Sequence, residues 1–258
     1  MARASVTSFR EKLQKGSVYG PFMKTCDSAF AEAAGYAGFD YCILDMEHGP
    51  VGTERLKELI QACECGGILP IVRVPDISEE SIGKPLDLGA GGVQVPQVSC
   101  ARDAQRVVEL AKFHPEGTRG VCRYVRAARY SLMDKFDYFQ EANESVVILQ
   151  VEGMEGVKNI DEILTVKGID VIFIGPYDLS QSLGVTGDVE NPLVTDTMVK
   201  LVQKAKEHGV TVGTFVDSVE AGCRWRKLGV RYLSYSVDVG IFSAACRQAV
   251  DAFHAEER

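Results

Sequence analysis

Eight short apolar runs recur along the chain at a fairly even beat. They are VYGPFM (18–23), YCILDM (41–46), LPIVRVP (69–75), GGVQVPQ (91–97), VVILQVE (146–152), DVIFIG (170–175), VTVGTFV (210–216) and RYLSYSV (231–237). Nearly every residue in them is apolar, whereas a strand with one wet face would alternate. Continuous runs of this kind fit strands buried on both faces, as in a parallel sheet covered by helices. The segments between them repeat at helical spacing. TERLKELIQACECGG sets Leu56, Leu59, Ile60 and Cys63 on one face, with Thr53 as N-cap. SVEAGCRWRKLG opens a helix at Ser218 with Glu220 in its first turn. The opening MARASVTSFREKLQKG predicts a short amphipathic helix with Phe9 and Leu13 on one face. Eight βα units predict an α/β protein, a (β/α)8 TIM barrel in one domain over residues 1–258, with a doubly wound open sheet as the alternative.

One connection breaks the beat. Residues 113–145, FHPEGTRGVCRYVRAARYSLMDKFDYFQEANES, are too long for an ordinary loop and carry Arg119, Arg123, Arg126 and Arg129. A connection of that length in a compact barrel usually has a function.

Composition narrows the class. The 258 residues are 46% hydrophobic and 25% charged, which suits a soluble globular protein. No run approaches the roughly 18 apolar residues of a membrane span, and the N-terminus lacks a secretory apolar core. The net charge of −8 disfavours a nucleic-acid partner, which needs a basic face. The eight cysteines are scattered, and their one close pair, Cys63 and Cys65, lacks metal or redox spacing. Free thiols and a cytoplasmic location are expected.

In a barrel, catalytic groups project from the C-terminal ends of the strands. The run ends there offer Asp45, Glu47 and His48, then Arg73, then Gln97, then Gln150 and Glu152, then Asp178, Asp217 and Asp238. Glu152 and Asp178 end neighbouring runs. Two close carboxylates repel unless a proton or cation lies between them, and Mg²⁺ takes one or two carboxylates with water completing its shell. The plainer reading is that Asp178 caps a helix and Glu152 pairs with a rim arginine. Gln150 shares a strand face with Glu152 and could hydrogen-bond a ligand. Arg73 interrupts an apolar strand, so it either pairs with Asp45 or Glu47 or stabilises an oxygen that becomes negative. His48 is either a general base or an ordinary polar residue. No lysine ends the fifth or sixth run, so Schiff-base chemistry has no lysine there, and carbanion chemistry would need a metal as electron sink.

The segments AGFDYCILDMEHGP, PIVRVPD, LDLGAGGVQVPQV, PEGTRGVCRYVRAARY, LQVEGMEGVKNIDEIL, GIDVIFIGPYDLSQSLG and GTFVDSVEAGCRWRKLGVRYLSYSVDVGIF occur in order across almost the whole chain. Together they resemble the HpcH/HpaI family of metal-dependent, class II pyruvate aldolases. That resemblance implies Glu152 and Asp178 as ligands of a divalent ion (Mg²⁺, Mn²⁺ or Co²⁺). It implies Arg73 as the group that binds the keto oxygen and stabilises an enolate. His48 would be the acid/base, with Asp87 as its acidic partner across a subunit boundary. Gln150 would contact substrate, and backbone N–H groups around Pro176, Tyr177 and Asp178 would hold the substrate carboxylate.

The implied activity is a carbon–carbon lyase acting on a small 2-keto acid and an aldehyde, cleaving or forming 4-hydroxy-2-keto acids. Decarboxylation of an oxaloacetate-type acid at the same site and keto-acid binding without catalysis are the alternatives. Met46 and the large Tyr177 depart from the pattern of the family's aldolases, and the extra arginines near Cys122 imply a different or more anionic partner. The resemblance also implies a homo-hexamer that exchanges the C-terminal helix carrying Phe242, Cys246 and Val250. The alternative is a helix packed on its own barrel.

Overall fold

The computed structural model describes residues 5–256. Eight parallel strands close into a barrel in chain order. They are β1 Val18–Met23, β2 Tyr41–Asp45, β3 Leu69–Arg73, β4 Gly92–Val95, β5 Val146–Val151, β6 Val171–Ile174, β7 Thr211–Val216 and β8 Tyr232–Val237. Each lies on one of the eight apolar runs. The helices are α1 Val6–Lys15, α2 Ser28–Tyr36, α3 Thr53–Gly66, α4 Glu79–Asp87, α5 Ala101–Ala111, α6 Lys135–Asn143, α7 Met154–Lys158, α8 Ile160–Ile163, α9 Pro176–Ser182, α10 Pro192–Glu207, α11 Val219–Leu228 and α12 Asp238–Glu256.

The strands read as continuous apolar runs because both of their faces are buried in different cores. Side chains alternate across a strand. Cys42, Leu44, Val72, Val93, Val147, Leu149 and Ile172 point outward into the layer beneath the helices. Tyr41, Ile43, Leu69, Ile71, Val146, Ile148, Val171 and Phe173 point inward and fill the barrel.

Its N-terminal end is sealed by α1. Phe9 meets the Tyr41 and Tyr232 rings edge-on at 5.9 and 6.4 Å, and those two rings stack at 4.2 Å. Burying Phe9 and Leu13 stabilises the plug by about 1.5–3 kcal/mol each. Gly20 makes room for the stack, since a Cβ there would lie 2.6 Å from the Tyr41 ring. With that end closed, access is from the C-terminal ends of the strands.

The face of α3 is as expected: Leu56, Leu59, Ile60 and Cys63 are fully buried. Its N-cap is Gly52 rather than Thr53, because the extended break (φ −92°, ψ 168°) falls one residue earlier. Ser218 does cap α11, accepting the Ala221 N–H at 3.1 Å. All eight cysteines are free. Among the described residues no helix is long and apolar enough to cross a membrane.

The long connection after α5 is ordered around its own small core of Phe113, Ala128 and Tyr138. Two of its arginines are paired within the chain. Arg119 donates to Asp87 at 2.6 Å and lies over the Phe113 ring, while Arg126 binds Glu64 and the Leu88 carbonyl. Asp87 and Glu64 stand in the last turns of α4 and α3, at the sealed end of the barrel, so these two charges are not aimed at the open rim of their own barrel.

The C-terminal helix leaves its own barrel after its first turns. Phe242 touches Phe30 edge-on at 6.2 Å, but Val250 and Phe253 are exposed. Packing on its own barrel is therefore not what holds the far half of α12.

Candidate active site

At the open end the inward-facing positions turn from apolar to polar. In-register pairing of β2 with β3 sets Asp45 beside Arg73, and β3 with β4 sets Arg73 beside Gln94. Arg73 Nε and Nη2 donate to Asp45 Oδ1 and Oδ2 at 2.8 and 2.7 Å. Its third nitrogen, Nη1, lies 3.1 Å from Glu47 Oε2, and its guanidinium sits over the Phe22 ring at 4.8 Å. Lys24, just past β1, pairs with the same Asp45 carboxylate. Burial opposes ionisation of Asp45, but Arg73 and Lys24 outweigh it and hold the carboxyl down at about 2. The ion-pair reading of Arg73 therefore holds, and Arg73 also lines the cavity described below.

Glu152 follows β5 and is buried among polar groups. A relay runs to it from the neighbouring strand: Gln94 Nε2 donates to Gln150 Oε1 at 2.8 Å, and Gln150 Nε2 donates to Glu152 Oε2. Glu152 Oε1 accepts the backbone N–H of Gln97 at 3.1 Å. Gln97 thus contributes its main chain, in a left-handed conformation (φ 57°), while its side chain is exposed. Burial, together with the nearby Asp178 and Glu47 carboxylates, pushes the Glu152 carboxyl up to about 7 despite these hydrogen bonds. Burial likewise raises Glu47, with Asp45 and Asp178 adding to it. Gly175, the residue before α9, is shaped to this carboxylate: a Cβ there would lie 2.4 Å from Glu152 Oε2.

A cavity of about 330 Å³ opens over this layer. His48, Arg73, Gln150, Pro176, Tyr177 and Asp178 all line it, so most of the expected site converges. Lys24, Asp217 and an apolar wall of Phe22, Phe173, Phe215 and Val237 complete it. Tyr177 donates its hydroxyl to Asp217 at 2.6 Å and packs edge-on to Phe215 at 6.0 Å. His48 is well exposed, with Nε2 3.9 Å from Glu47 Oε2. A larger depression of about 670 Å³ lies outside the barrel, bordered by α5, residues 114–118 and residues 165–167. No strand residue reaches it.

Asp87, expected to meet His48 across a subunit boundary, ends α4 at the sealed face of its own barrel and pairs there with Arg119. One rim expectation lands elsewhere. Asp238 is structural: its carboxylate accepts the backbone N–H groups of Lys24 and Thr25, both at 2.9 Å, and the Thr25 hydroxyl at 2.6 Å. It ties the start of α12 to the loop that carries Lys24. The Gln94 relay and the Gly175 cradle were not anticipated. A lone Gln in the β-branched run GVQV was the available signal for the first.

The donor set suits a hard divalent ion. Asp45 and Glu47 are held by Arg73, and Asp45 also by Lys24, which leaves Glu152 and Asp178 as the oxygen groups that could take an ion. Among the described residues no group of three or more His, Cys, Asp or Glu side chains is placed to hold an ion.

Comparison with known proteins agrees with this geometry. Residues 19–245 match the family model described as HpcH/HpaI aldolase/citrate lyase. The chain is 34% identical over 234 residues to a 5-keto-4-deoxy-D-glucarate aldolase of Citrobacter koseri, covering 88% of this chain and 90% of that one. It is 33% identical over 242 residues to a hydroxypyruvate/pyruvate aldolase of Roseobacter denitrificans, covering 92% and 93%. Among solved structures, an HpcH/HpaI aldolase/citrate lyase family protein from Burkholderia cenocepacia superposes with a TM-score of 0.91 at 32% identity, covering 96% of this chain and 99% of that one. The chain is an enzyme of the aldolase type, a carbon–carbon lyase, and belongs to the HpcH/HpaI aldolase/citrate lyase family.

Proposed function

We propose that this enzyme cleaves and forms 4-hydroxy-2-keto acids through a pyruvate enolate and depends on a divalent ion held by Glu152 and Asp178. The observation that carries this reading is the placement of that carboxylate pair beside a cavity that Arg73 also lines. When bound, the ion would supply Lewis-acid polarisation of the keto group.

The chain's own residues do the rest. The N–H groups of Tyr177 and Asp178, in the first turn of α9, have no helical acceptor and face a substrate carboxylate. Pro176 has no N–H and serves as cavity wall. Arg73 holds the keto oxygen and stabilises its negative charge as the enolate forms, its orientation fixed by the two-point pair with Asp45. In synthesis His48, through water, takes a proton from the pyruvate methyl group, and the resulting enolate methylene carbon attacks the aldehyde carbon to form a carbon–carbon bond. The carbonyl π electrons move to the aldehyde oxygen, which takes a proton delivered by His48 through water. Cleavage is the reverse, with His48 accepting the hydroxyl proton. Phe22, Phe173, Phe215 and Val237 exclude water from one side of the reacting atoms.

The assembly reading follows the family: Asp87 meets His48 across a subunit boundary, and the exposed half of α12 is exchanged in a homo-hexamer. The test of the activity is release of pyruvate from a 4-hydroxy-2-keto acid, followed with a coupled dehydrogenase. Activity lost with EDTA, restored by Mn²⁺ and abolished in Glu152→Gln is expected. Undiminished turnover in Glu152→Gln would overturn the assignment.

A further inference from the structure

Glu152, Asp178, Gln150 and Arg73 account for the keto acid, which leaves the other half of the cavity for the aldehyde. That half runs from α9 past β7 and β8 to β1, and is lined by Tyr177, Asp217, Phe215, Val237 and Lys24. The two charged groups in it are not equivalent. Lys24 is already paired with the buried Asp45. Together with Arg73 and Glu47, this makes a network of two cations and two carboxylates that is neutral as a whole. Asp217 is different. It is exposed, it has no cationic partner among the described residues, and its one side-chain hydrogen bond comes from the neutral Tyr177 hydroxyl. That bond leaves its charge intact and fixes it at the mouth. Tyr177 is itself braced against Phe215, so the pair forms a bar between the ends of β6 and β7.

We infer that the Tyr177–Asp217 pair sets acceptor specificity, turning away aldehydes that carry a carboxylate, sulfonate or phosphate and favouring short neutral hydroxyaldehydes. Two physical effects act together. With a divalent ion balancing Glu152 and Asp178, a bound keto acid and Asp217 leave the mouth negative, so a further anion is repelled. A neutral acceptor can donate a hydroxyl hydrogen bond to the free Asp217 oxygen, which an acceptor lacking that hydroxyl leaves unpaired. The bar also limits length on this side of the cavity.

This inference rests on the aldolase reading, and the experiment separates the two. Metal-dependent exchange of pyruvate methyl protons in deuterated buffer is measured first on the wild type, because it needs no acceptor. Then kcat/KM is measured for glycolaldehyde and glyceraldehyde against glyoxylate and succinic semialdehyde, in wild type, Asp217→Asn and Tyr177→Phe. The wild type should prefer the neutral pair. Asp217→Asn should raise the anionic-to-neutral ratio by about tenfold, the scale of one unit charge at a solvent-open site, and that gain should shrink with added salt. Tyr177→Phe, which frees Asp217 to move, should raise the ratio by less. Exchange present with an unchanged ratio in Asp217→Asn, or a wild type that prefers the anionic pair, would overturn this inference alone. No exchange in the wild type would overturn the aldolase reading and this inference with it.

Discussion

Gly175 and Glu152 fit together as cradle and carboxylate. A Cβ at position 175 would stand 2.4 Å from Glu152 Oε2 and 3.1 Å from its Cβ, so the carboxylate occupies space that only glycine leaves open. The backbone of Gly175 is ordinary for any residue (φ −81°, ψ 101°). Gly175→Ala should therefore fold normally and displace Glu152. The expected result is a loss of Mn²⁺ affinity of at least about tenfold, with the melting temperature changed by no more than about 3 °C. Calorimetric titration and a thermal melt check both parts. Unchanged affinity would show that Glu152 does not need its present position.

Proton and metal should compete for Glu152. Its carboxyl titrates at about 7 in the folded chain, above the usual range, because burial and the neighbouring Asp178 and Glu47 disfavour the charge. A raised folded-state value means that the metal-free fold loses stability as pH rises from about 4.5 to about 7, by about 3 kcal/mol from this group. Binding a cation requires the carboxylate, so Mn²⁺ affinity should climb as pH rises through about 7, with a proton released on binding. Titrations in buffers of different ionisation enthalpy between pH 6 and 8 measure that proton. Affinity independent of pH across this range would contradict the account.

Asp45 works with the opposite sign. Its carboxyl is held at about 2, since Arg73 and Lys24 outweigh the cost of its burial. The stability it contributes, about 2 kcal/mol, is present above pH ~4 and is lost as pH falls toward ~2. Asp45→Asn leaves the buried Arg73 guanidinium with Glu47 alone and should cost about 3–5 kcal/mol. Urea denaturation from pH 3 to 6 should show the acid-side loss shrink in the variant by Asp45's share. Equal loss in both proteins would remove Asp45 from that role.

Asp238 ties α12 to the loop after β1 through three hydrogen bonds. Asp238→Ala leaves two backbone N–H groups and a hydroxyl to find new partners and should destabilise by about 2–4 kcal/mol. Because that loop carries Lys24, activity should also fall, whereas Asp238→Asn, which keeps an acceptor oxygen, should recover much of both. Denaturation midpoints and initial rates of the two variants decide this.

The fold was largely legible because each strand alternates between two apolar environments, so YCILDM and VVILQVE carry the same message along their length. The site was legible where a polar residue interrupts that message at a strand end, as at Arg73, Gln150 and Glu152. Register hid the rest. That Gln94 would reach Gln150, and that Gly175 would lie against Glu152, depend on which residues are neighbours across strands. The same blindness hid the partners of Arg119 and Arg126, because their carboxylates, Asp87 and Glu64, lie at least 32 residues away in sequence. Asp238 looked like any other rim acid because its hydrogen bonds reach back to Lys24 and Thr25, at the opposite end of the chain.

The central claim is that this chain forms a pyruvate enolate with a divalent ion at Glu152 and Asp178. Deuterium uptake into the pyruvate methyl group, followed by NMR with Mn²⁺ removed before acquisition, tests it without any aldehyde. The account predicts uptake with Mg²⁺ or Mn²⁺, none after EDTA, and none in a folded Glu152→Ala variant. Uptake that persists in EDTA, or none in the metal-loaded wild type, would contradict it.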